Sequence, residues 1–98
     1  MGKYLMLWKL DYRYMPVDPA ERAAGWQLLI ELVKQDMEKG LVKDWNAFVG
    51  EPAGCNIVEG TVEDIQRMMT LFVPYVEFEV HELITLDKVE NVIKSMAG

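Results

Sequence analysis

At 98 residues, about half of them hydrophobic, the chain is long enough for one domain with one buried core and no need of staples. Its net charge of −6, with ten scattered Lys and Arg side chains, argues against a phosphate-binding surface for nucleic acid. Its apolar runs fall far short of the roughly 18 residues that a membrane span needs.

No basic–apolar–small leader opens the sequence, so Met1–Leu10 reads as structure rather than as a signal peptide. A single cysteine, Cys55, has no partner for an internal disulfide, which points to a reducing cytoplasm. Tyr4–Leu10 (Y-L-M-L-W-K-L) is a nearly continuous apolar strand broken only by Lys9, and such a strand needs cover on both faces. Tyr12–Val17 turns the chain.

Asp18 then caps a helix, with Pro19 at its first position and Glu21 as the capping-box partner. Trp26, Leu29, Ile30, Val33 and Met37 recur at helical spacing as the expected buried stripe, which Leu28 and Leu32 widen. Gly40 ends the helix. Leu41–Val49 and Cys55–Glu59 read as two strands around a loop, Gly50-Glu51-Pro52-Ala53-Gly54, whose glycines read as turn residues. Thr61 caps a second helix, with Asp64 three residues on and Ile65, Met68, Met69 and Phe72 as its stripe, and Pro74 prevents continuation.

Tyr75–Leu83 alternates Val76, Phe78 and Val80 with Glu77, Glu79 and His81, the period of a strand with one apolar and one ionisable face. A closing helix begins near Asp87, with Glu90 as the expected capping-box partner and Val89, Val92, Ile93 and Met96 as its stripe. The order β-α-β-β-α-β plus a terminal helix predicts an α+β fold: a four-stranded antiparallel sheet, order 4-1-3-2, with both crossover helices on one face. That leaves the other face bare, with Leu5, Leu7 and Lys9 on it. An open apolar face of this kind calls for a partner, and a second copy packed sheet to sheet, a homodimer, is the economical answer. Leu28 and Leu32 leave a higher oligomer open.

The stretches L-M-L-W-K-L, E-K-G-L-V-K-D-W and L-F-V-P-Y-V-E-F-E-V-H-E-L give the chain a pattern that resembles the dimeric α+β barrel superfamily, with its ferredoxin-like protomers, and within it the muconolactone isomerase type. The resemblance implies a single ferredoxin-like domain over residues 1–98 that dimerises through its sheet. It implies a ligand site inside the barrel, and a range of activities from isomerases to cofactor-free oxygenases, with no cofactor expected. No catalytic residue of any member carries over by motif.

With helices over Val76, Phe78 and Val80, the residues Glu77, Glu79 and His81 would look toward the partner sheet beside Lys9. There Lys9 would hold the charge of a small apolar organic acid, and His81 or Glu79 would move a proton. Trp8, Trp45 and Glu77 are the candidate substrate-binding residues, with Tyr4 and Tyr75 as further aromatic candidates. The structural counterpart is a cross-strand pair of Glu79 with Lys9 and aromatic side chains that only fill a core. Cys55 and His81 lie on strands that the first strand separates, too far apart for a thiol and its base. One histidine and one cysteine do not make a structural zinc site. A non-enzymatic module that binds a small molecule, or simply assembles, is the alternative to an enzyme.

Overall fold

The computed structural model describes residues 2–98; Met1, expected to belong to the first segment, lies outside them. Its elements are β1 (Gly2–Leu10), α1 (Pro19–Glu38), β2 (Val42–Ala47), β3 (Ala53–Gly60), α2 (Val62–Thr70), β4 (Val76–Leu83) and α3 (Leu86–Met96). A single 3₁₀ turn, Tyr12–Tyr14, follows β1. The fold is α+β, a four-stranded antiparallel sheet with three helices. Its strand order is β2-β3-β1-β4, which read from the β4 edge is 4-1-3-2.

Local chemistry sets the helix starts. The Glu21 N–H donates to Asp18 Oδ2 at 3.0 Å, and Pro19 opens α1 where its missing N–H costs nothing. At α2 the box closes both ways: the Asp64 N–H donates to Thr61 Oγ1 and the Thr61 N–H to Asp64 Oδ2. At α3 the expectation needs correction. Thr85, not Asp87, is the cap, receiving the Lys88 N–H, and Glu90 pairs with Lys94 at 2.9 Å. A hydroxyl two residues upstream reaches the free N–H of the first turn, which leaves Asp87 inside the helix.

Strand register decides which side chains meet. On one face of the sheet stand Tyr4, Met6, Trp8 and Leu10 of β1, opposite Val58, Asn56 and Gly54 of β3 and Val80, Phe78 and Val76 of β4. α2 closes one part of this face. There Tyr4, Met6, Val42, Val58, Ile65, Met68, Phe72 and Val76 form the buried core. The expectation for the α2 stripe and for the apolar face of β4 is met.

The expectation for α1 is not. Trp26 is 40% exposed, Leu28 and Met37 are exposed too, and the one buried residue of this helix is Asp36. α1 lies over the same sheet face but stands off it, so that Leu29, Leu32 and Val33 only half pack against the core. Gly25 shows the same thing, since a Cβ there would meet nothing within 4 Å. No close contact within the protomer accounts for that glycine.

The other sheet face is bare. Leu5, Leu7, Cys55 and Ile57 lie on it with Lys9, Glu77, Glu79 and His81, in line with the register. α3 is exposed along its whole length and carries Leu86, Val89, Val92, Ile93 and Met96 into solvent. It extends the molecule to 62 × 26 × 20 Å.

Candidate functional site

The gap between α1 and the sheet is a cleft of about 740 Å³. Its floor is the helix-facing side of β1, β2, β3 and β4, contributing Met6, Trp8, Trp45, Asn56 and Phe78. Its roof is the inner side of α1 from Arg22 to Asp36. A volume of this size matches sites for drug-sized organic molecules.

Two local devices shape the floor. The first is a β-bulge in β2: Val42 pairs with Val58 but Asp44 with Ile57, so Lys43 is an extra residue. Because side chains alternate with a period of two, one added residue moves every later one to the opposite face. Trp45 therefore comes to lie opposite Asn56, on the same face as Val42. The second device is Gly54, directly opposite Trp8. A Cβ on Gly54 would collide with the Asn46 carbonyl oxygen and the Trp8 indole. Gly54 is thus a strand residue over which an indole lies flat, and not the turn residue its sequence context suggests. Gly50, with φ +81°, is the turn residue.

Together these place Trp8 and Trp45 in a stack, ring centroids 5.2 Å apart and planes 13° from parallel. Phe78 meets Phe72 edge to face at 5.9 Å at the edge of the core.

The cleft is mostly apolar; Arg22, Glu51 and Tyr12 also line it, and three of its polar atoms are buried. Trp8 Nε1, Asn56 Oδ1 and Asp36 Oδ2 are buried without a hydrogen-bond partner among the described residues, and all three residues line the cleft. The Asn56 amide nitrogen is directed at Met6 Sδ, a weak acceptor 4.0 Å away. Asp36 and Asn56 are each 5% exposed. Burial raises the Asp36 carboxyl above its ordinary value, against the lowering effect of Lys39.

The structure divides the residues that the sequence proposed for one site. Trp8 and Trp45 face the cleft. Lys9, Glu77, Glu79 and His81 share the opposite, open face, as the alternation predicts. Lys9 stands opposite Glu77 and Glu79 opposite Leu7, so the cross-strand pair of Lys9 with Glu79 is not made. Glu79 instead meets His81, Oε2 to Nε2 at 3.4 Å, with side chains 66% and 54% exposed. A shallow hollow lined by Leu7, Lys9, Phe48, Glu77 and Glu79 marks this face. Tyr4 is core, and Tyr75 is exposed against Tyr14. Cys55 and His81 stand on opposite sides of β1, next to Leu7 and Leu5.

Sequence reasoning missed Asn56, Asp36 and Arg22. The signals were present for the first two: an amide at the buried parity of β3, and a carboxylate on the apolar stripe of α1 between Val33 and Met37. Among known proteins, no family model and no curated sequence matches the chain.

Proposed function

We propose that this protein binds a small, flat, apolar organic molecule in the cleft between α1 and the sheet, and acts as a homodimer joined through its open sheet face. The observation that carries the reading is the cleft itself, apolar, walled by stacked indoles and provided with a few inward polar atoms, which is the composition of small-molecule sites. The dimer is supported by Leu5, Leu7, Cys55 and Ile57 lying together on a face no helix covers. A protomer of ferredoxin-like type, as in the dimeric α+β barrel superfamily that the sequence resembles, would fit this arrangement.

Naphthalene, which has no polar group, tests the cleft directly. Titration should give one site per protomer, weakened about tenfold or more in Phe78→Ala, where a buried aromatic wall is lost. No saturable binding would end this reading.

A second reading, isomerase-like or cofactor-free oxygenase chemistry in the cytoplasm, is favoured by the contact of Glu79 with His81 near Lys9 and Glu77. Those groups are exposed in the protomer, so this chemistry needs a second copy to close over them. Replacing His81 with Gln and finding any detected turnover unchanged would remove His81 from it.

A further inference from the structure

We infer that the cleft is built for a neutral, flat ring system carrying a hydrogen-bond acceptor next to a hydrogen-bond donor, the chemistry of a cyclic amide or its enol form. This rests on the reading of the cleft as a small-molecule site and specifies what enters it.

Two atoms define the ligand's edge, and a third lines the same cleft. Trp8 Nε1–H can only donate, while Asn56 Oδ1 accepts and Asp36 Oδ2 accepts when ionised. Trp8 is opposite Gly54, and Asn56 is two residues further along β3 on the same face. Such diagonal neighbours on antiparallel strands lie about 7–8 Å apart, near enough for one ring edge to engage both side chains. The Asn56 amide nitrogen is turned toward Met6, which leaves its oxygen for an incoming N–H or O–H. A buried donor and acceptor left unmade are costly, so a ligand that satisfies both gains over one of equal size that satisfies neither.

The same atoms exclude an anion. A carboxylate brings acceptors only, and it would meet the oxygens of Asn56 and Asp36 in an apolar enclosure. The cation of the lining, Arg22, lies fourteen residues before Asp36 on α1, about 21 Å along the helix axis. Its guanidinium lies over the Trp26 ring at 5.9 Å, at the end of the cleft that Tyr12 and Pro19 border. The organic acid that the sequence suggested would need Lys9, and Lys9 is on the other side of the sheet.

Four molecules of similar outline separate these claims: 2-quinolone with both groups, N-methyl-2-quinolone with the acceptor alone, naphthalene with neither, and 2-naphthoate with a charge. The full-length protein should bind 2-quinolone about tenfold or more tightly than the N-methyl form and naphthalene, with 2-naphthoate weakest. Asn56→Leu should bring 2-quinolone down to its N-methyl analogue while leaving naphthalene binding in place. Trp8→Phe, which removes the donor and keeps a ring, should weaken both quinolones relative to naphthalene. It also serves if the Asn56 variant does not fold. Equal affinity for the three neutral molecules, or preference for 2-naphthoate, would overturn the inference and leave the cleft reading standing. Failure of all four to bind would overturn both.

Discussion

The buried carboxylate of Asp36 gives this protein a distinctive response to pH. Burial raises the Asp36 carboxyl above its ordinary 3.8, so the folded chain holds that proton more tightly than the unfolded chain. Its contribution to stability is complete below the unfolded value and is lost as pH rises through the raised folded value. Asp36→Leu should therefore stabilise the protein by about 1–3 kcal/mol at neutral pH. The gain should shrink as the solution is acidified toward the unfolded value. Urea unfolding of both proteins at a series of pH values measures it, and a gain independent of pH would show that Asp36 does not titrate in this way. The quantity to follow is the difference between the two proteins. Asp11, lowered by its side-chain hydrogen bonds with Arg13, and Asp64, lowered by the Thr61 N–H, lose their contributions as pH falls. At the same scale, Gly54→Ala sets a methyl against the Trp8 indole and a backbone carbonyl. It should cost about 1–3 kcal/mol in urea unfolding and weaken naphthalene binding, because the indole cannot keep its place.

At the scale of elements, the irregularity in β2 decides more than the regular strands do. Deleting Lys43 would restore simple alternation and leave Trp45 opposite Asn56 on the cleft face, because Val42 and Trp45 would then stand two residues apart. The deletion variant should keep its far-UV circular dichroism and bind naphthalene within about threefold of the parent, since the stack of Trp8 and Trp45 is kept. A loss of about tenfold or more would mean that the bulge sets the position of the indole and not only its face. This element also shows how much a sequence can disclose. The strands, both crossover helices and the two faces of β4 were legible, because each rests on spacing and capping within a few residues. The bulge was not, since the adjacent Lys43 and Asp44 of V-K-D-W-N-A break the alternation without showing which way the strand resolves the break. It follows from pairing with β3, where Val42 and Asp44 meet Val58 and Ile57, residues far along the chain. Trp26 misled for a related reason. Its helical spacing shows which side of α1 is apolar, and nothing local tells how far that side stands from the sheet.

For the whole molecule, the imbalance of covered and uncovered surface is the dominant fact. The Cα radius of gyration is 16.6 Å, where a compact domain of this length has about 13 Å. α3 is exposed along its whole length and contributes nothing to the buried core. Removing residues 85–98 should accordingly change the urea stability of the protomer by less than about 0.5 kcal/mol. A larger loss would show that α3 packs against something. Sedimentation at micromolar concentration should give a dimer for the intact chain. Leu7→Glu, which adds a carboxylate beside Glu79 on the bare face, should give a monomer. A monomeric parent protein would remove the sheet-to-sheet assembly.

The two stacked indoles have an optical consequence. At 5.2 Å and 13° the two rings are close enough for their transitions to interact, so the near-UV circular dichroism of the pair depends on how they lie against each other. Trp8 carries the free donor and Trp45 owes its place to the bulge, so a guest that lies against this wall changes the surroundings of both rings. The protein thus carries its own gauge of occupancy, which works without a label. A screen of metabolite fractions that watches this one signal would find the natural ligand by the change it makes.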